Sequence, residues 1–90
     1  MKVLVVDDSK AMRTILKRIL ESVGANVEEA TNGHEGLDKL QPGTQPDIVL
    51  VDWNMPGMSG LEFVRAVRAH AHFQALPLMM VTAETEKSHM

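Results

Sequence analysis

The 90-residue chain has no cysteine, no cluster of lysine or arginine, and no long apolar run. Without thiols there is neither a disulfide framework nor a thiolate metal site, and the absence says nothing of compartment. Twelve acidic against nine basic side chains leave a net charge of −3. The chain therefore lacks the basic footprint that a nucleic-acid backbone demands. Its longest apolar stretches, such as Val3-Leu4-Val5-Val6, fall far short of a signal-peptide core or a membrane span. These absences predict a soluble, cytoplasmic protein that binds neither DNA nor membrane. There is also no room for two domains: 90 residues, 44% apolar and 23% charged, describe one domain over 1–90. That size lies near the small end for a folded core, where one structural element can decide whether the chain folds.

What is present is a strict alternation. Val3 to Val6 form a continuous apolar run closed by Asp7-Asp8-Ser9, as in a strand buried on both faces. Met12, Ile15, Leu16, Ile19, Leu20 and Val23 then recur three and four apart, with Lys10, Arg13, Lys17, Arg18 and Glu21 set away from them. This is an amphipathic helix with a basic outer face. Asp8 or Ser9 suits its N-cap, and Gly24 its left-handed C′ position. Asn26-Val27-Glu28-Glu29-Ala30 reads as a charged edge strand, followed by a short helix capped by Asn32 or Thr31 and ended at Pro42-Gly43. Asp47-Ile48-Val49-Leu50-Val51-Asp52 repeats the first motif. After the turn-rich Asn54 to Gly60, Ser59 and Glu62 fit a capping box for a helix through Leu61, Val64 and Val67 that frays near His70. Pro77-Leu78-Met79-Met80-Val81-Thr82 is a third apolar run, closed by a hydroxyl. Strands alternating with helices predict an α/β domain with a doubly wound parallel sheet.

In such a sheet, ligands bind beyond the carboxyl ends of the strands, where Asp7, Asp8, Asp52 and Thr82 all fall. Capping a helix explains one of the three acids and leaves two. If their strands are neighbours, three carboxylates share a small volume and repel one another unless a cation intervenes. Mg²⁺ takes oxygen ligands but only one or two carboxylates, leaving the third as a nucleophile or a ligand to a phosphoryl group. Phosphate chemistry is the expectation.

Val5-Val6-Asp7-Asp8-Ser9, Asp52-Trp53-Asn54-Met55-Pro56-Gly57-Met58-Ser59-Gly60 and Val81-Thr82-Ala83 resemble the receiver domain of bacterial two-component response regulators, above all the single-domain chemotaxis regulators. The resemblance runs along the whole chain and implies a flavodoxin-like strand order 2-1-3-4. It implies that Asp52 accepts a phosphoryl group from a sensor histidine kinase. Asp8, Asp52 and the Asn54 carbonyl would hold Mg²⁺, with Asp7 acting through a metal-bound water. It further implies that Thr82, with Ala83, senses the phosphoryl group, and that Asn54 and Glu84 modulate dephosphorylation. Such a domain is a phosphoacceptor in a phosphorelay, with self-catalysed transfer and hydrolysis, and not a turnover enzyme.

The resemblance stops short of the family's fifth strand, its Lys-Pro pair and its fifth helix, for which the sequence to Met90 has no counterpart; Lys87 does not match that lysine. The chain is therefore expected to be a truncated receiver, unless residues follow Met90. The edge at Leu78 to Val81 is expected to be apolar and covered by another chain, through dimerisation, strand exchange or a partner fragment. Two alternatives stand beside the phosphoacceptor. One is a Mg²⁺-dependent phosphohydrolase with a nucleophilic Asp, but Asn54 stands where those enzymes carry a general acid. The other is a truncated receiver scaffold that assembles without switching. Asp52 to Phe63 does not fit a calcium loop, because bidentate Glu is replaced by Phe63. Ser59 lacks the surroundings of a nucleophile elbow, and His70 and His72 are too isolated for a zinc site.

Overall fold

Two central strands supply both faces of the core. In the computed structural model, which describes residues 1–81, β1 (Lys2–Val6), β2 (Asn26–Ala30), β3 (Ile48–Asp52) and β4 (Leu78–Val81) form one parallel sheet in the order β2-β1-β3-β4. Helices α1 (Lys10–Ser22), α2 (Gly33–Asp38) and α3 (Gly60–Arg68) connect the strands, and a 3-10 turn at Ala71–Phe73 leads into β4. This is the doubly wound, flavodoxin-like order that the sequence resemblance implies. Thr82, Ala83, Glu84 and Lys87 lie outside the described residues.

Period-2 alternation assigns the layers. Val3 and Val5 of β1 and Leu50 of β3 face α1, against Leu16 and Leu20. Leu4, Val6, Val49 and Val51 face the other side, where Phe63 and Val67 of α3 join Leu40, Met55, Phe73 and Leu76. Val3 to Val6, Val49, Val51, Phe63 and Val67 are almost completely withdrawn from water, each burial being worth about 1.5–3 kcal/mol before entropy is charged. Gly36 of α2 lets that helix approach the sheet: a Cβ there would stand 2.9 Å from both Phe63 Cε1 and Val6 Cγ2.

Local signals place the helix ends. Ser9 caps α1, its Oγ accepting from the Met12 N–H at 3.2 Å, and Asn32 caps α2, accepting from the Glu35 N–H at 2.8 Å. In the Ser59–Glu62 capping box, the Glu62 N–H donates to Ser59 Oγ at 3.1 Å and the Ser59 N–H to Glu62 Oε1 at 2.9 Å. Gly24 follows the α1 C-cap at φ 92°, a conformation that costs a residue with a Cβ.

Three assignments of face differ from the sequence reading. Leu61 of α3 is exposed, and Phe63 takes the core position, because Gly60, Phe63 and Val67 lie three and four apart on the stripe that meets the sheet. On α1, the apolar stripe is wider than the sheet contact. Leu16 and Leu20 pack on the sheet while Ile15, Ile19 and Val23 remain exposed. Arg13, read as part of the solvated basic face, is buried on that helix. Among the described residues no helix is long and apolar enough to cross a membrane.

Candidate functional site

The chain leaves β1 through α1 toward one edge of the sheet and leaves β3 through α3 toward the other. The two strands lie side by side, with Val6 opposite Val51, so the reversal of winding opens a crevice between their carboxyl ends. The next residues past that rung are Asp7 and Asp52. One carboxylate oxygen from each of Asp7, Asp8 and Asp52 lies within 4.8 Å of the other two. The structure thus brings together the three acids singled out in the sequence.

Their environments differ. Asp7 is only 3% exposed; its Oδ1 accepts from the Ser9 N–H at 2.8 Å, and its own N–H donates to the Ala30 carbonyl at 3.0 Å. Burial raises its pKa, with a further push from Asp8, while the Ser9 N–H and the Arg13 charge pull the other way. Asp52, 9% exposed, is the last residue of β3, paired with Val81 of β4. Burial, joined by the charge of Asp7 and the carboxyl of Asp8, pushes its pKa up to about 6, against a stabilising hydrogen bond from the Asn54 backbone N–H. Asp8 is exposed at the rim. The group can hold a hard divalent cation, whose charge removes the repulsion that raises these pKa values. Asn54 follows two residues after Asp52 on the exposed loop, and Trp53 beside it is about half exposed, at 48%. Thr82, next in sequence after β4, together with Ala83 and Glu84 lies outside the described residues.

Two supporting residues escaped the sequence reading. Gly60 closes the turn-rich stretch of the sequence, and its N–H donates to the Trp53 carbonyl at 3.0 Å. A Cβ on Gly60 would collide with the Asp52 carbonyl oxygen and crowd Trp53 Cα, so only glycine lets α3 begin against the strand end that carries Asp52. Arg13 donates from Nη1 to the Asp7 carbonyl at 2.7 Å and from Nε to Glu29 Oε1 at 3.1 Å. Its spacing signal was available: Arg13 lies three residues before Leu16, on the stripe that meets the sheet.

Residues 3–90 match the model of the response regulator receiver domain. The chain is 44% identical over 91 aligned residues to the chemotaxis protein CheY of Pseudomonas aeruginosa, covering 100% of this chain and 73% of that protein. It is 42% identical to chemotaxis protein CheY1 of Helicobacter pylori, with the same coverage. Among solved structures, chemotaxis protein CheY4 of Vibrio cholerae superposes with a TM-score of 0.84 at 42% identity, over 98% of this chain and 74% of that one. The response regulator TrrA of Thermotoga maritima, in complex with Mg(2+)-BeF, superposes with a TM-score of 0.83 at 34% identity, over 99% and 76%.

The crowded acids carry a pH signature. Because folded Asp52 holds its proton more tightly than an unfolded Asp of pKa 3.8 does, folding takes up a proton between those two values. Stability of the metal-free protein then falls as pH rises through that window, and the loss persists above it. Asp52→Asn is expected to stabilise the metal-free protein by about 1–3 kcal/mol at about pH 7.5 and by far less at about pH 4. Urea denaturation followed by circular dichroism at the two pH values checks this; an equal effect at both contradicts it.

Proposed function

The chain belongs to the response-regulator receiver family, and from that membership we propose that it is the phosphoacceptor of a two-component relay, with Asp52 as the residue that is phosphorylated. The observation that carries this reading is the position of Asp52: nearly buried at the end of β3, beside two further carboxylates, at the point where the winding of the sheet reverses. The donor is a phosphohistidine of a sensor histidine kinase, in cytoplasmic, chemotaxis-type signalling. A carboxylate oxygen of Asp52 attacks phosphorus in line. The P–N bond to the donor imidazole breaks, its electron pair returns to nitrogen, and an aspartyl phosphate forms. Such a transfer needs positioning and charge neutralisation more than covalent help from other groups.

Asp8, Asp52 and the Asn54 carbonyl would hold Mg²⁺, with Asp7 behind a water. The ion supplies charge neutralisation for the phosphoryl oxygens when bound. The donor set fits it: all hard oxygen, and already strained by mutual repulsion. Support comes from TrrA, whose solved structure is a complex with Mg(2+)-BeF. In this chain, burial of Asp7 and its bond from the Ser9 N–H fix one side of the pocket. The Asn54 N–H orients the Asp52 carboxylate from the other. Thr82 would donate its hydroxyl to the phosphoryl oxygens, with Ala83 in the same segment, while Asn54 and Glu84 would set the rate of hydrolysis.

A separate observation favours self-association. The outer edge of β4 has no strand partner among the described residues, and Met79 and Met80 of that strand are exposed. Met79 lies beside Leu50 on the α1 side of the sheet, where Ile15, Ile19 and Val23 are also exposed. An apolar, unpaired edge recruits another strand, here from a second copy of the chain.

Intact-mass measurement after incubation with acetyl phosphate and Mg²⁺ is expected to show one added phosphoryl group, which does not form when the metal is chelated beforehand or in Asp52→Asn. Incorporation that survives Asp52→Asn, or none in the wild type, overturns the reading. For self-association, size-exclusion chromatography with light scattering is expected to show a dimer that dissociates on dilution; a monomer at every concentration contradicts it.

A further inference from the structure

We propose that Arg13 is a positioning residue of the acid site, setting the orientation of Asp7 and Asp8 by holding the peptide group between them. Arg13 is only 9% exposed, and a guanidinium is withdrawn from water at a cost that its partners must offset. Its Nη1 donates to the Asp7 carbonyl at 2.7 Å, a buried contact, and its Nε to Glu29 Oε1 at 3.1 Å. Glu29 is held in turn by Lys17 Nζ at 3.7 Å. One planar side chain thereby ties α1 and β2 to the carboxyl end of β1.

The carbonyl it holds belongs to the peptide that joins Asp7 to Asp8, so the plane of that peptide sets the direction in which both acids leave the backbone. Asp7 has two further restraints, through its Oδ1 to the Ser9 N–H and its N–H to the Ala30 carbonyl. Asp8, exposed at the rim, meets the Asp52 carboxyl through its side chain. The Arg13 contact fixes the peptide from which the Asp8 side chain leaves the backbone. Lysine has a single point of attachment and cannot hold the carbonyl and Glu29 with the fixed geometry of the guanidinium fork.

This inference rests on the phosphoacceptor reading only in using Mg²⁺ as the probe. The test titrates the full chain with Mg²⁺, read by Trp53 fluorescence, in the wild type, Arg13→Lys, Arg13→Met and Lys17→Met, alongside urea midpoints for each metal-free protein. Outer partners of metal ligands are worth roughly 10- to 100-fold in affinity. Arg13→Met is expected to weaken Mg²⁺ by about tenfold or more, Arg13→Lys to fall between it and the wild type, and Lys17→Met to bind as the wild type does. A merely structural role would lower the urea midpoint and leave the affinity of the folded protein unchanged. If Arg13→Met does not fold, Arg13→Lys decides. Wild-type affinity in a folded Arg13 variant overturns the inference alone, whereas a wild-type protein that binds no Mg²⁺ overturns the phosphoacceptor reading and the inference with it.

Discussion

Three carboxylates at the ends of two adjacent parallel strands repel one another, and much of the surrounding structure serves to hold them there. Asp7 and Asp52 are nearly buried, so water does little to screen them, and the raised pKa values record the strain. Left alone, such a pair would favour any slip that moved one strand end away from the other. The close packing of β1 and β3 opposes that slip: a shift of one residue would exchange the α1-facing Val3, Val5 and Leu50 with the α3-facing Leu4, Val6, Val49 and Val51 and break the fit of both layers. The apolar core thus works against the electrostatics of the site.

The same opposition explains the close contacts around the acids. Gly60 lets α3 start directly behind the Asp52 carbonyl, and the Ser59–Glu62 capping box fixes where that start occurs. On the other strand, Ser9 caps α1 while its N–H holds Asp7, so one residue ends the acid turn and begins the helix. Arg13 then closes the triangle between α1, β1 and β2. These are short-range backbone and side-chain contacts on regular elements, which position a site more closely than a free loop does.

Much of this was legible before the structure. The paired runs ending in acid, the cap at Ser59, the caps at Asp8 or Ser9 and at Asn32 or Thr31, which the structure resolves to Ser9 and Asn32, and Gly24 past the end of α1 all have local causes that sequence spacing carries. What spacing did not carry was competition between faces. Ile15, Ile19 and Val23 satisfy a helical period as well as Leu16 and Leu20 do, yet the sheet offers contact to only one flank of the helix. Arg13 looks like its basic neighbours until Glu29 and the Asp7 carbonyl are brought beside it across the sheet. Leu61 and Phe63 are both apolar, and the entry angle of α3, set by the Gly60 contact with β3, decides which is buried. Each of these depends on a partner remote in sequence.

Asp52 is held in a nearly buried cluster of like charges, whose repulsion a bound divalent cation would relieve. The direct measurement is the titration of the Asp52 carboxyl carbon by NMR, with and without Mg²⁺, assigned by comparison with Asp52→Asn. A midpoint of about 6 without metal and a marked fall when Mg²⁺ is added are expected. A midpoint at the ordinary 3.8, unchanged by Mg²⁺, would contradict both expectations.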